Sequence, residues 1–281
     1  MKQREKIIKN IGEIPAIPVS ASKAVSLLQD PNRSLPEIIK VIEYDPGITA
    51  NILKLANSSV YSTGREISSL RDATIRLGAS NILQLLISSS FSSIMKTQVK
   101  GYDLPSGELW KSSITTAICT DIIKSTLRIE LPSYTFTAAL LHDIGKIILG
   151  SFIDVNASEI IECAVKGNLS FEEAENIILG IDHAEVGAIL MEKWNLPEEL
   201  EKPVRWHHTP EKSENFAMVT GVVHIADALT MMKGVGAGKE GLNYRFSNKV
   251  ADELGLNINL IETIVFRTQC RYEDLKDTFS S

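Results

Sequence analysis

One stretch, Ala138–Gly150 (AALLHDIGKIILG), limits what this chain can fold into more than any other. It is apolar around nearly its whole circumference, the pattern of a helix covered on all sides. Its middle nevertheless carries His142 and Asp143, with Lys146 one turn further on. An ionised carboxylate taken out of water without partners costs several kcal/mol, so hydrogen bonds or a metal must meet the pair. Neighbouring helical positions diverge by roughly 100°, which still lets two adjacent side chains reach one cleft. A His-Asp pair alone fits either a hydrogen-bonded core or a ligand pair.

The remaining histidines narrow that choice. All five, His142, His183, His207, His208 and His224, lie in one region that ends at Asp227, each in a helix-like segment. Divalent transition metals take imidazole and carboxylate ligands converging from different elements, and four segments here can supply them. His224 and Asp227 are three apart on one helical face, where His224 reads as a satisfied helix-surface histidine.

The rest of the chain points to an all-α protein. Between breakers, almost every segment carries the three-to-four-residue apolar spacing of a helix. Pro15 and Pro18 mark an extended lead-in, Asp30-Pro31 a stop, Ser34 and Asp45 helix caps, and Leu77-Gly78 a helix end. Helices are expected over Ser20–Gln29, Ser80–Met95, Glu108–Leu127, Ala157–Lys166 and Ser170–Leu179. Asp182-x-x-Glu185 caps a helix with His183 in its first turn. Pro203 should kink or split the helix that carries His207 and His208. Gly101–Gly107 reads as the join between two helical halves, and Gly234–Gly241 as a mobile loop.

Composition excludes several function classes. With 281 residues, 44% hydrophobic and 23% charged, the chain can bury a real core. A net charge of −6 gives no basic footprint for nucleic acid. No uninterrupted apolar run is long enough for a membrane span, and the basic start lacks a signal-peptide core. Cys119, Cys163 and Cys270 are too dispersed for a disulfide framework or a CxxC site. A cytoplasmic protein with reduced thiols is expected.

The order His-Asp, His, His-His, Asp resembles the HD superfamily of metal-dependent phosphohydrolases, and within it the HDOD (HD-related output domain) family. Ile14–Pro18, Asp30-Pro31-x-x-Ser34-Leu35, Tyr44–Thr49, Leu55–Ser58, Ile67-x-Ser69-Leu70, Ala73 and Leu77-Gly78 match that family in order and spacing, and the resemblance runs from about residue 10 to 228. It implies two packed helical bundles: an N-terminal one over 1–102, an HD-type phosphohydrolase-like core over 103–233, and a C-terminal helical extension over 234–281. Two-metal HD hydrolases bridge both ions with the Asp of the HD pair. Carried over, one set is Asp143, His183, His207 and His208, all present. The other is His142, Asp143 and Asp227, with Ser112 standing where the family often has a histidine. Ser112 cannot replace an imidazole at comparable affinity.

The resemblance therefore implies one divalent ion (Fe, Mn or Zn) on His142, Asp143, His183, His207, His208 and Asp227, with Lys146 as a phosphate contact. The segment after His208, ThrProGluLysSerGlu, lacks the Gly-Tyr-Pro signature of the related cyclic-dinucleotide hydrolases. The function implied is a non-catalytic bacterial signalling module that binds a protein partner or a small nucleotide. The alternative is an active phosphohydrolase on a nucleotide or cyclic dinucleotide. Neither nucleic acid nor membrane is expected as a partner.

Overall fold

A computed structural model of the chain describes residues 2–279 except 15, 16, 18, 31–33, 43–45, 59, 60, 62–66 and 240–243. Among the described residues there is no β-strand, as the apolar spacing requires. The helices are α1 (Lys2–Glu13), α2 (Val19–Gln29), α3 (Leu35–Ile42), α4 (Pro46–Ala56), α5 (Leu70–Leu77), α6 (Ala79–Met95), α7 (Glu108–Leu127), α8 (Thr135–Leu141), α9 (Lys146–Gly167), α10 (Phe171–Leu179), α11 (His183–Lys193), α12 (Glu198–Trp206), α13 (Ala217–Met232), α14 (Asn248–Glu253) and α15 (Ile258–Phe279). Short 3-10 turns cover Lys100–Tyr102 and Pro210–Phe216.

Two compact units emerge: Ile17–Ser93 with Thr268–Ser281, and Met1–Ala16 with Ile94–Arg267. These differ from the expected limits at 102/103 and 233/234, for physical reasons. Helix α1 packs on α9 and α11. There Lys193 Nζ donates to the carbonyls of Ile11, Gly12 and Ile14 at 2.9, 2.8 and 2.5 Å, closing the α1 C-terminus. Arg4 adds a forked pair to Glu185 at 2.6 and 3.0 Å. Nor is the C-terminal segment an appendage. Val250, Ala251 and Ile264 complete a core with Cys119, Ile123, Val222, Ile225 and Leu229 of α7 and α13.

In the smaller unit the expected capping chemistry operates. The Glu37 carboxylate accepts from the Ser34 N–H and hydroxyl at 3.0 and 2.6 Å. Ser69 Oγ accepts from the Asp72 N–H at 3.1 Å, and Gly78 ends α5 with φ 80°. The lead-in prolines Pro15 and Pro18, Pro31 and the Asp45 cap lie outside the described residues.

Several local expectations are corrected in the larger unit. Helix α9 runs unbroken through 151–156, where Ser151 and Asn156 bond back to Ile148 and Phe152 carbonyls inside the helix. Pro203 sits within α12 without splitting it. The segment 101–107 is no inter-unit join, because Tyr102 is buried and turned toward α10. Thr135–Ile153 and Pro210–Met232 are apolar and long enough to cross a membrane, yet 83% and 72% of their most apolar windows are buried inside the protein. They form the walls of the candidate site.

Candidate metal centre

The Ala138–Gly150 stretch is not one helix. Helix α8 stops at Leu141, α9 starts at Lys146, and His142–Gly145 forms a tight turn with i→i+3 bonds. The Ile144 N–H donates to Leu141 O at 3.0 Å and the Lys146 N–H to Asp143 O at 3.0 Å. Gly145 makes this turn useful. A Cβ there would overlap the His183 carbonyl and lie 2.6 Å from the Gly187 nitrogen. Only glycine lets the turn touch the start of α11, and that contact brings His183 to Asp143.

The six residues expected at the site converge. His142 Nε2 lies 3.2 Å from both Asp143 Oδ2 and Asp227 Oδ1. Asp143 Oδ1 faces His183 Nε2 at 3.5 Å and His207 Nε2 at 3.7 Å. His208 Nε2 lies 2.8 Å from His183 Nε2. Two overlapping groups, His183/His207/His208 and His142/His207/Asp227, keep their ligand atoms within 4.8 Å of one another. Atoms bound roughly 2.0–2.2 Å from one ion stand about 3–3.5 Å apart, close to the spacings seen here.

Fixed acceptors set the tautomers. The Nδ1–H groups of His142 and His207 donate to the Ala139 and Val204 carbonyls, each at 2.7 Å. The neutral His207 ring turns a bare Nε2 lone pair inward, whereas protonated His142 points its Nε2–H at Asp143 and Asp227. The Nδ1–H of His183 donates to Glu175 Oε2 at 2.9 Å, so His208 Nε2–H is the donor to His183 Nε2. His207 Nε2 and Asp143 Oδ1 are fully buried without a hydrogen-bond partner. Buried polar atoms rarely stay so, and two unpartnered acceptors 3.7 Å apart beside the His183 ring fit a divalent cation of the Fe, Mn or Zn class.

Charge within the cluster balances without such an ion. Burial pulls the His142 imidazolium down, but Asp143 and Asp227 outweigh it and push the group up to about 10. Burial also opposes ionisation of Asp143, yet His142 and Lys146 hold its carboxyl well below the usual range. Asp227 is likewise lowered, burial being overcome by His142. Burial, then the positive His142, takes His207 down to about 3. His208 falls well below the ordinary histidine value through burial and its histidine neighbours. Two cations, His142 and Lys146, thus face two carboxylates.

Lys146 departs from its expected role as a phosphate contact. It is buried, with Nζ 2.6 Å from Asp143 Oδ2 and 5.4 Å from the centre of the Tyr102 ring. His224 departs too, being buried rather than on a helix surface. Its Nδ1–H donates to His207 O at 2.7 Å and its Nε2 accepts from the Ser247 N–H at 3.0 Å. It fixes the backbone that carries His207 and is not a ligand candidate.

Two buried residues behind the cluster were not singled out in the sequence: Glu175 and Tyr102. The signal was there for Glu175, which shares the apolar face of α10 with Phe171, Ala174 and Leu179. Ser112 is buried and packs against Gly236, whose added Cβ would overlap the serine hydroxyl. The described part of the expected mobile loop is therefore packed in place. Outside the cluster, a cavity of about 560 Å³ is lined by His208, Trp206, Arg205, Arg245, Glu211 and Ser247, among others.

Residues 14–210 match the HDOD domain family. The chain belongs to the HDOD family. Among solved structures, an HDOD domain protein from Geobacter sulfurreducens superposes with TM-score 0.73 at 24% identity, covering 99% of this chain and 95% of its own. A protein from Marinobacter aquaeolei VT8, provisionally described in signal transduction, gives 0.75 at 22% identity over 100% of this chain and 65% of its own. One from Shewanella amazonensis SB2B, provisionally described as a phosphohydrolase, gives 0.70 at 22% over 98% and 97%. A Treponema pallidum (strain Nichols) protein is 24% identical over 223 residues, 79% of this chain. The match spans only 43% of that relative's length. These likenesses establish the HDOD fold around the cluster.

Proposed function

We propose that this HDOD chain is a non-catalytic signalling module that works by binding, with at most one divalent ion held by Asp143, His183, His207 and His208. The observation that carries the reading is the division of the Asp143 carboxylate. Its Oδ2 is occupied by Lys146 at 2.6 Å and approached by His142 at 3.2 Å, leaving Oδ1 for the His183 and His207 nitrogens. Two-ion hydrolysis needs both oxygens, one per ion. Here a buried ammonium supplies the positive charge beside Oδ2, and position 112 is a serine with no imidazole to offer. A bound ion would supply Lewis acidity and lower the pKa of a coordinated water. Lys146, the cation nearest Asp143 among the described residues, is committed to that carboxylate rather than to a phosphate.

The provisional signal-transduction description of the Marinobacter protein supports the same direction. We place the module in the bacterial cytoplasm, with a protein or a small nucleotide as its binding partner. A second reading, an active phosphohydrolase, draws on the His183/His207/His208 group, with Asp143 Oδ1 3.5 and 3.7 Å from His183 and His207, and on the cavity beside His208. Phosphodiesterase assays on cyclic dinucleotides with manganese or iron supplied separate the two. Background turnover is expected, with elemental analysis giving no more than one ion per chain. Turnover that disappears in Asp143→Ala would overturn the non-catalytic reading.

A further inference from the structure

Behind the face of His183 that looks into the cluster stands a carboxylate with no exit to solvent. Glu175 is completely buried on α10. Its Oε2 accepts from the His183 backbone N–H and from His183 Nδ1–H, both at 2.9 Å. Its Oε1 accepts from the Tyr102 hydroxyl at 2.5 Å. Tyr102 is itself held from two sides. Its carbonyl accepts from the Lys239 N–H at 3.0 Å, and its ring lies edge-on to the His183 ring with centroids 5.9 Å apart.

A buried carboxylate is expensive unless it is well hydrogen-bonded, and here three donors from two elements serve its two oxygens. The consequence for His183 is chemical. With Nδ1–H locked onto a carboxylate, Nε2 must be the lone-pair nitrogen, and the partial negative charge behind the ring makes that nitrogen a stronger donor. The backbone N–H contact fixes where α11 begins, so ring orientation and helix register are set by the same side chain. Glycine at 145 lets α11 approach, and Glu175 decides which nitrogen arrives.

We infer that Glu175 is the positioning residue of the candidate metal centre, forming with Tyr102 and His183 a buried Tyr–Glu–His chain that presents His183 Nε2 to a divalent ion. The inference rests on the single-ion reading of the cluster, and its test separates the two. The probe is Zn²⁺ alone, titrated against a competing chelator, alongside ¹⁵N NMR of the histidine rings in metal-free protein at fixed pH. Wild type should show His183 as the Nδ1–H tautomer. Glu175→Gln keeps one accepting oxygen and should weaken Zn²⁺ about 10-fold, with Glu175→Ala nearer 100-fold. Tyr102→Phe should weaken it less than Glu175→Gln and leave the tautomer unchanged.

Glu175→Ala should also release His183 into a mixture of tautomers, which a purely structural carboxylate would not do. If Glu175→Ala fails to fold, Glu175→Gln carries the test by the same two measurements. An unchanged His183 tautomer with unchanged Zn²⁺ affinity in a folded Glu175 variant overturns the inference. If wild type binds no Zn²⁺ but the tautomer shifts in the variant, Glu175 still positions His183 and the metal reading is what fails.

Discussion

Lys146→Met probes the division of the Asp143 carboxylate directly. Methionine keeps most of the lysine stem and removes the charge. In the folded protein Lys146 Nζ sits 2.6 Å from Asp143 Oδ2, and both side chains are only 3% exposed. Removing one member of a buried pair typically costs about 3–5 kcal/mol, because the other charge is left uncompensated. His142, 3.2 Å from the same oxygen, remains as a partial substitute, so the lower end, about 3 kcal/mol, is expected. For a unit of this size each kcal/mol moves the melting point by about 2–4 °C. Melting in excess chelator should therefore fall by roughly 6–12 °C. With manganese added, the loss should shrink, since a second cation can now occupy the vacated side of Asp143. Calorimetry with and without chelator reads the first effect, and elemental analysis of the loaded protein the second, with stoichiometry rising above one. A variant that melts like wild type in chelator and binds no additional metal would refute the argument that Lys146 takes the place of an ion.

Metal-free protein should be most stable near pH 6.5. His142 is held up to about 10 when folded, so its contribution is complete below about 6.5 and is lost as pH rises through 10. His207, taken down to about 3, binds its proton only in the unfolded chain between 3 and about 6.5, so stability falls on the acid side as well. Melting points measured in chelator across pH 5–9.5 check both slopes, and a flat profile contradicts them. Gly145→Ala should cost about 1–3 kcal/mol or more by overpacking against the His183 carbonyl, and should weaken Zn²⁺ binding together with stability. A folded variant with normal Zn²⁺ affinity would show that the close approach is not what assembles the site.

The helical class was legible from local signals, and the membership of the cluster from the resemblance to the HDOD family. Apolar periodicity separates helix from strand, and a buried His-Asp pair among five clustered histidines announces a polar centre in an apolar core. What the sequence concealed depends on close contact. The turn at His142–Gly145 looks like uninterrupted helix, since its residues are all helix-compatible. The turn follows from packing between Gly145 and α11. Lys146 reads as a free ammonium near a phosphate because an i,i+3 pair within a helix gives no sign of which partner it prefers. Glu175 was hidden by its acidic neighbours Glu172 and Glu173, which make α10 look solvated although its inner face is apolar. His224 was misplaced for a related reason: its partners, His207 O and the Ser247 N–H, are backbone groups with no sequence signature.

Ser112 and the glycine-rich segment after α13 make sense together. Gly234, Gly236 and Gly238 have φ of 77°, 69° and 39°, a conformation that side-chain-bearing residues resist. Gly236 lies against the Ser112 side chain, and its N–H bonds to Glu108 Oε1 at 3.2 Å, one turn earlier on α7. Gly238 lies against the Tyr102 carbonyl, which also accepts from the Lys239 N–H. The segment is thus a strap tied to α7 at one point and to the Tyr102–Glu175–His183 chain at another. Histidine at 112 would push its ring into the backbone at Gly236. A ligand could be regained there only if the strap moved, and moving it would loosen the support of His183 through Tyr102. The serine, the glycines and the Lys146–Asp143 pair therefore leave no imidazole at 112 and no unpaired Asp143 Oδ2.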